Sequence, residues 1–166
     1  MNKALVDATR HYCQRHASKG PLISTPVPGL ILLRRTSPAA VDHAIVQPLL
    51  CLVLEGSKEV DIDQRTERYN AGDLMLVARN TPTLTRIAGA SVAAPYMSIA
   101  LDLNISVLSE LIELHRGAPA SPPQDTRAPL LDAMRRLISL LDDPTSLAAL
   151  GTGLLREIHH WLLLGP

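Results

Sequence analysis

The chain has 166 residues, with 16 Lys and Arg balanced by 16 Asp and Glu, and 46% of its residues are apolar. This length fits one domain or one domain with a helical annex, and an ordinary apolar fraction with zero net charge excludes a disordered chain. The neutral balance also argues against a nucleic-acid-binding domain, which usually carries a basic excess. With one Trp, three Tyr and no Phe, few rings remain to stack on bases or sugars.

Cysteine usage and the apolar runs indicate the compartment. Cys13 and Cys51 lack CxxC spacing, which favours two buried thiols in a cytosolic protein over a disulfide. The N-terminus has no unbroken apolar stretch typical of a secretory signal, and no window reaches the ~18 uninterrupted apolar residues of a membrane span. We therefore expect a cytoplasmic protein that makes no membrane contact.

The first two thirds of the chain predict a helix and then a series of strands. Leu5, Ala8 and Tyr12 recur at helical spacing within residues 2–17, and Gly20-Pro21 ends that helix. The predicted strands that follow are 30–35, 49–54, 59–63, 67–69, 74–77, 83–87 and 96–103. Short strands at near-regular intervals with Gly and Pro turns indicate an all-β sandwich or jelly-roll barrel.

The last third predicts three helices, at 105–115, about 126–141, and from 145 or 146 to 163. Asp125 or Thr126 is expected to cap the second helix, and Thr145 or Ser146 the third, after a break at Asp143-Pro144. Their apolar faces need a cover, which either the barrel alone or a second copy would provide. The predicted divisions are an N-terminal helix or arm (1–20), a barrel (21–104) and a helical annex (105–166).

No pattern for catalysis emerges. HExxH, Gly-x-Ser-x-Gly and the glycine-rich phosphate loops are all missing from the sequence. His159 and His160 are helix neighbours that point in different directions and cannot share a metal, so we expect an exposed pair. Asp61, Asp63 and Glu67 favour a solvated strand face over a general acid–base pair. We expect neither an enzyme nor a bound cofactor.

An ordered set of short motifs resembles a known family. It runs through Gln47-Pro48-Leu49-Leu50-Cys51-Leu52-Val53-Leu54-Glu55-Gly56-Ser57-Lys58, Tyr69-Asn70-Ala71-Gly72-Asp73, Pro82, Ala90-Ser91, Pro95-Tyr96, Leu101-Asp102-Leu103 and the closing Arg156 to Pro166. Together these resemble the N-terminal domain of AraC-type transcriptional regulators, over about residues 29–166. The resemblance implies a mainly β fold with helices: a cupin-like double-stranded β-helix that senses a small molecule, then a helical dimerisation annex. It also implies a C-terminal helix-turn-helix domain that binds DNA and is absent from this sequence.

A cupin resemblance raises the question of a metal. Cupin enzymes carry H-x-H-x(3–4)-E and a later His, and the matching positions here are His43, Ile45, Leu49 and Thr83. Only His43 is a possible ligand, and one imidazole does not hold a catalytic metal. We therefore expect no metal, with His43 more typical of an ordinary strand residue. The alternative is a stand-alone cupin-type binding protein or a metal-dependent cupin enzyme.

Strand and helix alternation then selects candidate site residues. The predicted effector-contacting residues are His43, Cys51, Val53, Met75, Val77, Arg79, Tyr96 and Ser98. A register error of one residue would exchange the two faces, and a packed barrel without a cavity is the other interpretation. The scarcity of rings disfavours a sugar and favours a small apolar or mixed effector. The predicted dimer surface is Leu147, Leu150, Leu154, Ile158 and Trp161, so the expected partners are a second copy and an effector, with DNA bound only through the further domain.

Overall fold

A computed structural model describes residues 2–16, 20–62, 65–87, 89–116 and 125–165, without the side chains of residues 39–45. Its internal contacts divide the chain into two compact units. The barrel unit is residues 13–102, and the helical unit combines residues 2–12 with residues 103–166. The sequence treats residues 1–20 as a separate arm, whereas the structure groups most of that helix with the C-terminal helices.

The described residues of the barrel unit form two antiparallel sheets. The strands are β1 Leu22–Ser24, β2 Leu30–Arg35, β3 Ala39–Val46, β4 Leu49–Glu55, β5 Ser57–Ile62, β6 Arg65–Asn70, β7 Leu74–Val77, β8 Thr81–Ile87 and β9 Tyr96–Asp102. One sheet has the order β1-β2-β9-β4-β7 and the other β3-β8-β5-β6. Because the chain passes repeatedly from one sheet to the other, the barrel is the cupin-like double-stranded β-helix that the sequence predicts.

The two central strands of the larger sheet have two distinct apolar faces. In β4, Leu50, Leu52 and Leu54 alternate with Cys51 and Val53, and all five are buried. In the register with β9, Leu52 lies opposite Ile99 and Val53 lies opposite Ser98. Directly opposed residues share a face, so Val53 and Ser98 stand on one side of this sheet and Leu52 and Ile99 on the other.

Gly56 makes the sharp passage from β4 to β5. Its φ of +74° lies in the left-handed region, which glycine adopts without strain. A Cβ at this position would lie 3.1 Å from the Cα of Tyr96, so the close approach of β9 also requires a residue without a side chain. Because the turn is this short, Lys58 and Val60 of the smaller sheet follow closely in sequence after Val53 of the larger sheet.

The helical unit contains α1 Lys3–Arg15, α2 Ile105–His115, α3 Arg127–Ser139 and α4 Pro144–Leu163. Only the first ten residues of α1 belong to it by contact. α4 begins earlier than expected: the Asp143 side chain accepts a hydrogen bond from the backbone N–H of Ser146 (3.0 Å), and Pro144 occupies the first turn. The prediction that Thr145 or Ser146 caps this helix is therefore wrong, because an Asp-Pro pair starts a helix as well as ending one.

The sequence prediction of an exposed His159–His160 pair is wrong. His159 is buried, its Nε2 accepts the backbone N–H of Asn104 (2.9 Å), and its Nδ1 lies 2.7 Å from the carbonyl oxygen of Leu155. Because Nε2 accepts, Nδ1 carries the proton and donates to Leu155. His159 thereby holds the residue that caps α2. His160 is half-buried and stacks on His115, with 5.2 Å between ring centroids.

Two further observations concern the cysteines and the membrane. Cys13 and Cys51 are both free and buried. Among the helices described, none is long and apolar enough to pass through a bilayer.

Candidate effector site inside the barrel

The inner layer of the barrel unit contains most of the predicted effector-contacting residues. Cys51, Met75 and Val77 of the larger sheet pack with Val60 of the smaller one. Val53 and Tyr96 pack in a second cluster with Ile87 and Ala90, and Tyr69 contacts both clusters. The structure therefore brings five of the eight predicted residues together between the sheets.

The other three predicted residues differ in their placement. Ser98 is buried and shares the face of Val53, opposite which it lies. Arg79 follows the end of β7 and is exposed, so it stands apart from the inner clusters. His43 lies opposite Leu84 in the β3–β8 register, and its side chain is outside the described residues.

Lys58 is an interior residue that the sequence analysis did not select. It is 6% exposed, and its ammonium Nζ lies 3.1 Å from the Sγ of Cys51 and 5.9 Å from the centroid of the Tyr69 ring. Within the described part of the chain it forms no ion pair with a carboxylate. Among the described residues, this ammonium thus contacts a thiol, which is a weak acceptor, and the face of one ring.

Tyr96 provides a second buried polar group. It is 0% exposed, and among the described residues no atom completes a hydrogen bond with its hydroxyl oxygen. Burial raises the pKa of Tyr96 well above its ordinary value, and charge on Cys51 adds to the rise. Ser98 lies near enough to oppose that rise, although no bond of hydrogen-bonding geometry joins the two hydroxyls. Tyr96 is therefore a neutral hydrogen-bond donor at physiological pH.

Arg35 stands beside Tyr96 on the inner face. It lies directly opposite Tyr96 in the β2–β9 register, and opposed residues share a face. Its guanidinium Nε is buried and has no hydrogen-bond partner among the described residues. The larger sheet thus carries a second cation toward the same end of the interior.

The nearby carboxylates lie on both faces of the barrel sheets. Glu55 lies opposite Met97, because a register shift after Val53 rotates the end of β4, so Glu55 belongs to the other face of the sheet. Glu67 lies opposite Val60 in the β5–β6 register and so shares the inner face, but it is exposed and accepts a hydrogen bond from the Tyr69 hydroxyl. Burial, together with the Glu67 carboxylate, raises the pKa of Tyr69 to about 12. The described part of the interior is therefore largely apolar, with two cations and several hydroxyls. The hydroxyls belong to Tyr96, Ser98, Thr83 and Thr85, since the two threonines lie opposite Ile62 and Val60.

In the helical unit, α3 and α4 form a groove of about 520 Å³. Its lining consists of Arg135, Arg136, Ser139, Leu140, Leu150, Gly153, Leu154 and Glu157. Leu150 is 56% exposed and Leu154 is buried, so the structure brings two of the predicted dimer residues to this groove. Leu147 and Trp161 are half-buried. Ile158 is 0% exposed, so it packs inside its own chain and offers a partner no surface.

Comparison with known proteins adds the family. No curated protein sequence matches the chain. The family model of the AraC-type transcriptional regulator N-terminus matches residues 26–166. The chain belongs to this family. The motif resemblance that the sequence analysis identifies is therefore confirmed.

Solved structures show how the AraC-type chain compares in three dimensions. It resembles the AraC-like transcriptional activator CuxR, with 16% identity, a TM-score of 0.60, and coverage of 86% of this chain and 53% of that chain. It thus spans about half the length of the CuxR chain. Weaker likenesses include the Cnp3 cupin domain of Schizosaccharomyces pombe (13% identity, TM-score 0.40, 54% and 63% coverage). A Neisseria meningitidis protein is similar at 10% identity, with TM-score 0.44 and 57% and 94% coverage.

The described residues of this AraC-type domain contain no group of three or more His, Cys, Asp or Glu arranged to hold a metal ion. The polar residues of the barrel interior that sequence reasoning missed include Lys58, Arg35 and Tyr69. Lys58 had a detectable signal, because it follows the same alternation as Val60 and Ile62, whose side chains pack toward Cys51.

Proposed function

We propose that this chain is the effector-sensing and dimerisation domain of an AraC-type transcriptional regulator that acts in the cytoplasm. In that role it controls DNA binding by a helix-turn-helix domain outside the present sequence. The observation that carries the sensing part is the hydroxyl of Tyr96, which is buried in the barrel and has no hydrogen-bond partner among the described residues.

Burying such a group has a free-energy cost. A hydroxyl removed from water without a new hydrogen bond destabilises a protein by about 1–3 kcal/mol. Its own cluster consists mainly of Val53, Ile87, Ala90 and Leu33, whose side chains cannot hydrogen-bond. A small molecule that accepts a bond from Tyr96 would remove this cost, and a domain that is more stable when occupied can report occupancy to its neighbours.

Thermal unfolding of the purified chain against a panel of small metabolites tests the sensing role. A ligand present at 100 times its Kd adds about 2.7 kcal/mol of stability, which is readily detected. Tyr96→Phe should reduce the shift, whereas Tyr12→Phe, the same change in the helical unit, should leave it intact. An equal response of both variants would place the ligand outside the barrel interior, and a panel without any hit would count against sensing.

For dimerisation we assign the groove between α3 and α4 to a second copy of the chain. Its apolar floor includes Leu150 and Leu154, and its rim carries both charge signs, since Arg136 lies 2.5 Å from Glu157 and 2.9 Å from Asp132. A surface with both signs beside an apolar patch suits self-complementary pairing about a two-fold axis, in which each patch meets its own copy.

Sedimentation equilibrium tests the dimer. Leu150→Asp should dissociate it, because the substitution places a charge at the centre of the apolar contact. Leu114→Asp is the matched control, since Leu114 is 69% exposed on α2 and lies outside the groove. A wild-type chain that remains monomeric at high concentration contradicts the dimer, and dissociation by Leu114→Asp alone moves the interface to α2.

A transcriptional reporter in cells tests whether ligand binding and dimerisation are coupled. The chain is fused to a DNA-binding domain that represses only as a dimer, because two half-sites must be bound in register. Repression should require Leu150 and should change when the ligand found in the thermal screen is supplied. Repression that ignores this ligand would separate ligand binding from dimerisation and contradict the sensor role.

A further inference from the structure

We infer that the barrel interior takes an anionic effector: a small carboxylate with a short aliphatic body, whose negative group contacts Lys58. This inference rests on the proposed sensing function and names the class of its ligand.

The first support is the environment of the Lys58 ammonium. Lys58 is 6% exposed, and among the described residues its ammonium contacts the Cys51 thiol at 3.1 Å and the Tyr69 ring at 5.9 Å. An ammonium withdrawn from water needs an opposite charge with good geometry, and without one it destabilises the fold. No carboxylate of the described chain supplies that charge. A ligand carboxylate would do so and would accept the ammonium protons that sulfur holds only weakly.

The second support comes from the opposite sheet. Tyr96, whose hydroxyl is buried and without a partner, lies directly opposite Arg35, whose Nε is also buried and without a partner among the described residues. Both groups donate hydrogen bonds, and neither Nε nor ammonium can accept one. Three unsatisfied or weakly satisfied donors therefore face an interior in which the hydroxyls of Ser98, Thr83 and Thr85 accept from none of them. A ligand rich in acceptor oxygens fits this imbalance, and an amine or a guanidine does not.

The third support concerns the negative groups around the site. Glu55 belongs to the outer face through its register with Met97. Glu67 is exposed and already accepts a hydrogen bond from Tyr69, and Asp73 accepts the backbone N–H of Asn70 (2.8 Å). None of these carboxylates forms an ion pair with Lys58 within the described chain. Lys58 therefore has no ion-pair partner among the described carboxylates.

The body of the ligand follows from the remaining lining. Cys51, Val53, Val60, Met75 and Val77 are buried and aliphatic or sulfur-containing, and Tyr69 and Tyr96 are the rings of the two inner clusters. A flexible or branched aliphatic chain buries its surface well against such side chains. A sugar would leave several hydroxyls without partners there.

Isothermal titration calorimetry with two acid–amide pairs tests the inference. The probes are hexanoate against hexanamide and isovalerate against isovaleramide. Within each pair the molecules differ little in shape, but the acid is an anion and the amide is neutral. The acids should bind the wild-type chain at least about tenfold more tightly than the amides, since hydrogen bonds between charged groups are roughly twice as strong as neutral ones. Equal affinity for acid and amide, or no binding of either acid at millimolar concentration, overturns the inference.

Lys58→Met locates the charge. This variant keeps the length and apolar stem of the side chain, so it should fold, and its ligand-free midpoint of urea unfolding should rise because a buried cation is gone. It should also lose the preference for acid over amide. Lys3→Met, at an exposed lysine of α1, is the matched control and should keep that preference. A preference that survives Lys58→Met overturns the assignment.

The outcomes separate this inference from the proposed function. If the acids fail but a neutral metabolite stabilises the chain and loses its effect in Tyr96→Phe, the anionic class is wrong and the sensor role stands. If the acids bind through Lys58 but change neither sedimentation nor reporter output, the site is right and the sensor role is wrong.

Discussion

Replacing Tyr96 with Phe removes one oxygen atom from the barrel interior and leaves the ring in place. Because the ring is 0% exposed and packs with Val53 and Ile87, the variant keeps its dispersion contacts and opens almost no cavity. What it loses is a hydroxyl that has no partner among the described residues. Such a group destabilises the folded state by about 1–3 kcal/mol, so Tyr96→Phe should increase the free energy of unfolding by about 1 kcal/mol.

Urea unfolding followed by far-ultraviolet circular dichroism measures this change. A gain in stability should appear as a higher midpoint with an unchanged slope, because the surface exposed on unfolding is the same. Tyr69→Phe is the control: its hydroxyl donates to Glu67 at the surface, and losing that bond should give no gain. If Tyr96→Phe is instead less stable than wild type by about 1 kcal/mol or more, the hydroxyl has a partner and the argument from it fails.

The pH dependence gives a second measure of the same group. Burial raises the pKa of Tyr96 in the folded state above its ordinary value of 10.0. The unfolded chain therefore releases this proton first as the pH rises, and the stability that the neutral phenol contributes is fully present below about pH 10 and lost above it. Wild-type stability should decline in this alkaline range, and Tyr96→Phe should decline less; identical profiles would contradict the burial of an ionisable hydroxyl.

Four other changes have expected outcomes. Gly56→Ala should destabilise the barrel by about 2 kcal/mol or more in urea unfolding, because a left-handed φ costs an alanine about 1–2 kcal/mol and the new Cβ would lie 3.1 Å from the Cα of Tyr96. Gly153→Ala meets no atom within 4 Å and should stabilise α4 by about 1 kcal/mol. Burial and the neighbouring His115 lower the pKa of His160, so wild-type stability should fall as the pH drops below about 6.5, and His160→Gln should flatten that fall. Asp143→Ala should cost about 1 kcal/mol of unfolding free energy by removing the cap of α4.

The strands that sequence predicted best are those with a clear repeat. Leu49–Glu55 and Tyr96–Asp102 were found because both of their faces are apolar or alternate strictly. The sequence pattern does not predict β1, because this strand has three residues, fewer than a periodic pattern needs. The sequence pattern does not predict β3 either. Its sequence, Ala39 to Val46, includes alanines and an Asp, which are poor strand formers. Its pairing with β8 is what makes it a strand, and a partner 40 residues away leaves no local signal.

The site residues also divide into those that a local repeat predicts and those whose placement depends on pairing with a distant strand. Alternation selected Cys51 and Val53 as one face of β4, and the clusters place both between the sheets. Arg79 was selected by continuing the alternation of β7. That strand ends at Val77, so alternation does not determine which way Arg79 faces. Glu55 is separated from Val53 by a register shift, which depends on how β9 pairs and has no counterpart in the sequence of β4.

The alternation of β5 places Lys58 on the apolar face, although a lysine is usually expected on the solvent face. The run from Glu59 to Ile62 alternates charged and apolar residues, and counting back from Val60 places Lys58 on the apolar face. A lysine is rarely fully buried, so composition argues for the solvent face while periodicity argues for the interior. The structure follows periodicity. Such disagreements between local rules are expected mainly at functional or strained positions, and at Lys58 periodicity and composition disagree.

The interior polar groups also bear on how a sensor of this kind would work. Among the described residues, the barrel holds an ammonium without a carboxylate partner and a hydroxyl without an acceptor, so its free energy is higher than that of a fully apolar core of the same shape. An occupied barrel of the proposed kind satisfies both groups at once. The difference between the two states is then concentrated in β4, β5 and β9, and a ligand shifts a conformational equilibrium only through such a difference. Lys58→Met and Tyr96→Phe should therefore make the empty domain more stable while shrinking the response to ligand, and a variant that gained stability without losing response would break that link.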